Sequence, residues 1–378
     1  MFAAGGEHTA LLRSDGTAVA CGRNGQNQCD LPALAAGLTY TQVAAGGFHT
    51  ALLRSDGTAV ACGLNDEDQC DLPALPAGLT YTQVAAGGFH TALLRSDGTA
   101  VACGNNDEDQ CDLPALAAGL TYTQVAAGSF HTALLRIDGT AVACGNNDED
   151  QCDLPALPAG QTYTQVAAGG FHTALLRSAG TAVACGRNVD GRCDLPALAA
   201  GLTYTQVAVG GPHAVLLRSD GTAVACGRND GGRCDLPVLA AGLTYTQVAA
   251  GGGHTVLLRS DGTAVACGRN DEDQCDFPAL VAGLTYAAHL LPPLLLQALL
   301  DGDSMRLVSF CGAERCRTES GPATLLVDIY SQLLADHRAG RLGPGVWRFD
   351  AVLPGGRLLS SVSAEETVAS VFGLARPG

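Results

Sequence analysis

The chain repeats itself every 41 residues. His8, His49, His90, His131, His172, His213 and His254 stand at that interval without a single insertion. A fixed period of this length marks a propeller or a solenoid, because each unit can bury its apolar faces only against its neighbours. At 378 residues the chain exceeds what one ordinary core supports, and repetition is the usual way past that limit.

Within the second unit, Asp56-Gly57 lies between the apolar runs His49–Ser55 and Thr58–Gly63, a strong short-range hairpin signal. Read as a two-residue turn, it pairs Arg54 with Ala59, Leu53 with Val60, Leu52 with Ala61 and Ala51 with Cys62. Gly46-Gly47 sets off Tyr40–Ala45 as a further strand, and Leu72–Gly78, with Pro73 and Pro76, reads as a connector and not as a fourth strand. Both hairpin faces are apolar: Leu53, Val60 and Cys62 on one, Leu52, Ala59 and Ala61 on the other. A sheet packed on both sides needs that pattern.

The ends favour a ring over an open array. The first unit starts at Phe2 without the Thr-Tyr-Thr-Gln lead of the others, and Leu284-Thr285-Tyr286 stands at the far end as though supplying it. A blade sealed by both ends of the repeat removes exposed edges. The expected architecture is mainly β: a seven-bladed β-propeller over residues 1–288, a linker over 289–304 and a small α+β domain over 305–378. The expected molecule is a monomer.

The motif of Ala-Gly, His-Thr, Leu-Leu, Asp-Gly and Gly-x-Asn, followed by Gln, resembles the repeats of the regulator of chromosome condensation family over residues 1–286. The resemblance implies a seven-bladed propeller with structural histidines. Two departures stand out: the units are short and uniform, like those of compact bacterial propeller inhibitors, and the family's tryptophan is replaced by Cys21, Cys62, Cys103, Cys144, Cys185, Cys226 and Cys267.

Each histidine is alone in its unit beside Thr or Ala, so His8, His49, His90, His131, His172, His213 and His254 read as buried imidazoles bonded to backbone, not as metal ligands or catalysts. The seven Cys-x7-Cys pairs, from Cys21/Cys29 to Cys267/Cys275, lack the short hooks of zinc sites. They read first as small buried hydrophobes, with intrablade disulfides and a metal as the other readings. No metal and no cofactor are expected.

After Gly-x-Asn the units diverge. Four carry acidic triplets: Asp66-Glu67-Asp68, Asp107-Glu108-Asp109, Asp148-Glu149-Asp150 and Asp271-Glu272-Asp273. Arg192 and Arg233 replace glutamine in units five and six. Solvated loop charge is one reading; a polarised rim that steers a protein partner with a basic surface is the sharper one. Calcium is disfavoured, since the ligand alternation of an EF-hand loop is missing.

Charge narrows the partner. Residues 1–288 hold 13 arginines against 28 acids, a balance of −15, and the chain has no lysine. Such a surface repels phosphate backbones, so no nucleic acid is expected. The apolar run Leu290–Leu300, broken by Pro292-Pro293, is too short to span a bilayer, so no membrane is expected either. No signal peptide is read at Met1, and the expected location is intracellular.

Beyond Tyr286 the repetition stops. A short linker helix is expected over His289–Leu300, then strands Met305–Phe310 and Arg315–Glu319, a helix Ala323–Arg338, a hairpin from Trp347–Leu353 to Arg357–Leu359 and a capped helix at Ser363–Glu366. This ββαββ order resembles the β-grasp fold of ubiquitin. The chain ends without a Gly-Gly pair, so conjugation to substrates is not expected. Cys311 and Cys316 read as strand residues, having no His/Asp set beside them.

With no Ser/His/Asp set, phosphate loop or paired acids at one site, the expected role is a non-catalytic protein–protein interaction scaffold, in or near the ubiquitin pathway. The alternative is guanine-nucleotide exchange on a small GTPase, which the resemblance implies but the uniform blades do not favour, as no insertion serves as a wedge. Ultraviolet sensing, known among such propellers, needs clustered tryptophans; Trp347 is the one tryptophan and lies outside the repeats.

Overall fold

In the computed structural model, residues 1–286 are described in full, together with the backbone of five later strands within 297–359. Two compact units divide the chain, Met1–His289 and Leu290–Gly378.

The first unit consists of seven three-stranded antiparallel sheets. In the second repeat these strands are Tyr40–Ala45, His49–Arg54 and Ala59–Gly63, and the other repeats follow at 41-residue steps. First strands of adjacent sheets touch one another and the middle strand of the sheet before. The first strand is therefore innermost, and the connector, irregular throughout, runs outside.

The hairpin register differs by one residue from the two-residue reading. Leu53 faces Ala59, Leu52 faces Val60, Ala51 faces Ala61 and Thr50 faces Cys62. The turn has three residues: Arg54 N–H donates to Thr58 O at 2.8 Å, Asp56 keeps negative φ and Gly57 sits at φ +79°. This is a type I turn closed by a left-handed glycine, the usual form of three-residue hairpin loops. Asp56 Oδ1 accepts the Thr58 amide at 2.9 Å and its hydroxyl at 2.7 Å, which stabilises that longer turn.

The corrected register regroups the faces. Ala51 and Leu53, with Ala59 and Ala61, pack on Tyr81, Val84, Leu93 and Val101 of the next unit. A small face thus receives a bulky one at each interface, and Leu52, Leu93 and their equivalents are fully buried. Close packing of this kind tolerates little change in volume.

The sheets close into a ring. Gly6 N–H donates to Gly46 O, Gly47 to Gly87, and so on round to Gly252, which donates to Gly5 O at 2.9 Å. A Cβ on Gly5 would meet Gly46 O and His8 Cε1 at 2.6 Å each, so this circle of carbonyls requires glycine. At the seam, Ser14 N–H donates to Thr285 O at 2.9 Å and Tyr286 pairs with Arg13. Tyr286 then joins Phe2, Leu11, Val256 and Leu258 in one buried cluster. Tyr286 thus holds the place against Arg13 that Tyr40 holds against Arg54.

In the second unit, Gln297–Asp301 pairs with Ser304–Val308, which pairs with Glu314–Thr318; Ala351–Leu353 pairs with Arg357–Leu359. The strands and the later hairpin stand near their expected places. The linker helix is corrected over Gln297–Leu300, which is a strand. A short apolar run carries no periodicity that separates helix from strand. The helix expected over 323–338, the capped helix at 363–366 and the β-grasp topology lie outside the described residues.

Candidate protein-binding face

One end of the ring carries both variable features. The loop between first and middle strands, Gly46-Gly47-Phe48, lies beside the loop after the third strand, because Leu64 N–H donates to Phe48 O at 2.9 Å. The acidic triplets therefore share a face with the residues that precede the histidines.

Each triplet loop is built identically. Asn65 Oδ1 accepts Cys70 N–H at 2.7 Å while Asn65 Nδ2 donates to Asp71 at 3.0 Å. Gln69, fully buried, turns inward and accepts the Glu67 amide at 3.0 Å. Asp68 is left-handed at φ +59°, a conformation Asp and Asn tolerate better than most. Asp66, Glu67, Asp68, Asp107, Glu108, Asp109, Asp148, Asp150, Asp271, Glu272 and Asp273 are exposed, and Glu149 is half-buried.

Arg192 and Arg233 are not exposed charges. They are 5% and 3% accessible, because they occupy the inward glutamine position. The Arg192 guanidinium pairs with Asp190 and donates to Gly211 O at 3.2 Å; Arg233 pairs with Asp230 at 3.2 Å. Each buried guanidinium is paired within its own loop, as burial requires, although Asp230 is shared with Arg228 at 2.6 Å. The rim arginines are Arg23, Arg187, Arg228 and Arg269, at the variable position of Gly-x-Asn. Units two to four carry Leu64, Asn105 and Asn146 there. Of the carboxylates in their three triplets, Glu149 alone pairs with a cation, Arg187 of unit five, at 3.3 Å.

Sequence reasoning missed an aromatic arc. Phe48, Phe89, Phe130 and Phe171, all half-buried, stack along consecutive units with centroids 5.6, 6.5 and 5.6 Å apart, within the favourable range for aromatic pairs. Arg23 lies over Phe48 and Arg187 over Phe171, each at 5.9 Å from the centroid. The signal was present at 41-residue spacing, but Glu7, Pro212 and Gly253 interrupt it in the other units.

The histidines are fully buried. Their partner is not backbone but the threonine of the following unit: His8 Nε2 with Thr50 Oγ1 at 2.9 Å, His49 with Thr91 at 2.8 Å, and round to His254 with Thr9 at 2.8 Å. Each threonine hydroxyl in turn donates to a buried carbonyl, as Thr50 does to Gln28 O at 2.7 Å. Desolvation pushes the imidazoles down to about 3 or 4, so they are neutral. In unit six Ala214 replaces the threonine, and His172 Nε2 has no partner.

All fourteen repeat cysteines are free and half-buried, not fully buried. Burial pushes Cys62 up to about 12 and Cys70 up to about 11, which makes them poor nucleophiles. Among the described residues, no group of three or more His, Cys, Asp or Glu could hold a metal ion, and no helix is long and apolar enough to cross a membrane.

Residues 2–28, 40–69, 81–110, 122–151, 163–192 and 245–274 match the model of the regulator of chromosome condensation (RCC1) repeat. No curated protein sequence matches the chain. Among solved structures, Prp20p of Saccharomyces cerevisiae is similar at TM-score 0.55 and 20% identity, covering 64% of this chain and 74% of that one. The CRINKLY WD40 ectodomain of the Arabidopsis thaliana receptor kinase ACR4 is similar at 0.56 and 20%, covering 76% and 97%. Human WBSCR16 is similar at 0.57 and 18%, covering 68% and 86%. These likenesses show the fold: residues 1–286 form a ring of seven three-stranded repeat units, six of which match the RCC1 repeat model.

Proposed function

We propose that the protein is a non-catalytic platform that holds another protein on the face bearing the acidic triplets and the phenylalanine arc. The observation that carries this reading is the asymmetry of that face. Three consecutive units present acidic triplets with a single pairing cation at their edge, and the arc runs beside them. An apolar strip beside a field of one sign suits a partner with a basic surface, which the field steers into contact. The RCC1-type fold supports protein binding, since Prp20p has binding properties to Gsp1p and histones.

The test is capture from native extract with acid-reactive or thiol-reactive crosslinkers, since the chain offers no lysine. A specific partner is expected, with crosslinks concentrated on units two to four. Recovery of no partner, or crosslinks only on the opposite face, overturns the reading. A second contact through residues 305–378, in the manner of a ubiquitin-like module, would make the chain a ubiquitin-pathway adaptor; that extension is supported by strand order alone, and the same capture tests it. Nucleotide exchange on a small GTPase is the alternative. It is supported by the fold likeness, and unaccelerated release of labelled GDP removes it.

A further inference from the structure

The ends of the phenylalanine arc show how its middle is used. Arg187 lies 5.9 Å over Phe171 and 3.3 Å from Glu149 Oε1 of the preceding unit. One guanidinium is therefore held between a ring face and a carboxylate. At the other end Arg23 lies over Phe48 and pairs with Glu7 at 2.6 Å. The protein fills its outermost rings with its own arginines.

Inside the arc the residue in the place of Arg187 is Asn105 beside Phe89 and Asn146 beside Phe130. The backbone placement is the same: Asn105 N–H donates to Phe89 O and Asn146 N–H to Phe130 O, both at 2.8 Å, as Arg187 N–H does to Phe171 O at 2.9 Å. The carboxylates are also in place. Asn105 Nδ2 donates to Glu67 at 3.3 Å and Asn146 Nδ2 to Glu108 at 2.9 Å. Each position has the ring and the carboxylate that hold Arg187, but a short neutral amide where the guanidinium would lie.

Resting on the platform reading above, we propose that Phe89 with Glu67 and Phe130 with Glu108 are two seats for arginine side chains of an extended basic protein segment. Arginine fits better than lysine, because a planar guanidinium stacks on a ring while its edge donates to a carboxylate. The spacing selects the segment. The two ring centroids are 6.5 Å apart, close to the roughly 6.8 Å between alternate side chains of a strand. Two arginines separated by one residue match both seats at once.

The test uses the full chain and labelled peptides followed by fluorescence anisotropy at about 0.1 M salt, where charges beyond about 10 Å are screened. The peptide with two arginines one residue apart should bind about tenfold tighter than its lysine counterpart, and tighter than a peptide with adjacent arginines. The double variant Asn105→Arg with Asn146→Arg fills both seats as Arg187 does and should lose at least about tenfold in affinity. Its fold is expected to survive, since Arg23 and Leu64 already occupy that position in units one and two; an unchanged thermal melt checks this. Phe89→Ala with Phe130→Ala should weaken arginine peptides most. Equal binding of arginine and lysine peptides, or undiminished binding to the filled double variant, overturns the seats while leaving a generic acidic face standing. No peptide binding at all also overturns the seats, and the capture experiment then decides separately whether the platform itself stands.

Discussion

Unit six already carries a deletion in the histidine–threonine circle, and restoring it measures what each link contributes. Ala214→Thr would place a hydroxyl against His172 Nε2, which lacks a partner. It would also offer a donor to Arg192 O, by analogy with Thr255, whose hydroxyl donates to Arg233 O at 2.8 Å beside a buried arginine of the same kind. A buried polar group left unpaired costs about 1–3 kcal/mol, and a net hydrogen bond contributes about 0.5–1.5 kcal/mol. The gain from Ala214→Thr should therefore be about 1–2 kcal/mol, a rise in Tm of about 2–4 °C for a unit this large. Ala214→Val is the control, having the shape of threonine without its hydroxyl. Thr50→Ala should cost about 1–3 kcal/mol, since it strands His8 Nε2 and leaves Gln28 O only the weak Cys62 thiol donor. Urea and thermal unfolding of the full chain read all three. If the threonine and valine variants unfold together, the hydroxyl contributes nothing and the circle is packing alone.

Two other outcomes follow from burial. The seven imidazoles are held at about 3 or 4, below the ordinary 6.5, so between those values the unfolded chain binds more protons than the folded one. Stability is then full above pH 6.5 and falls as pH falls, by about 1.4 kcal/mol per histidine per pH unit, or about 10 kcal/mol for seven. Against a total of about 5–15 kcal/mol, circular dichroism should show cooperative acid unfolding before about pH 4.5; a ring intact at about pH 3.5 would contradict buried neutral histidines. The fourteen repeat cysteines, free and with raised pKa values, should alkylate at least about tenfold slower than an exposed thiol at neutral pH. All fourteen should label once the chain is unfolded without reductant, and protected ones would reveal disulfides.

Much of the fold was legible because the period is strict and each unit states its strands in the same residues. Closure was legible too, since Thr285-Tyr286 visibly completes what Phe2 lacks. The register was not, because Asp56-Gly57 fits either a two-residue or a three-residue loop. The three-residue form holds even in unit five, where Ala179 stands in the place of Asp56, so the Asp–Thr bonds support the turn without deciding it, and no pattern of apolar residues announces it. Arg192 and Arg233 were misplaced for a related reason: their position adjoins the variable rim in sequence, yet its side chain turns inward beneath the loop. The phenylalanine arc escaped because three of seven units break it, and only the packing of successive units brings the remaining four side by side. The candidate site is thus where the repetition fails, which is also where units can differ without disturbing the core.

Closure joins the seventh unit to the first and leaves no exposed edge, and amide hydrogen exchange at single-residue resolution tests it most directly. Gly252 N–H is bonded to Gly5 O and Ser14 N–H to Thr285 O across the seam, as Gly47 is to Gly87 and Ser55 to Thr39 elsewhere. A closed ring predicts that the seam amides are protected to the same degree as their equivalents in the middle of the array. Seam amides exchanging at solvent rates, while Gly47 and Ser55 stay protected, would show an open array and contradict the closed ring.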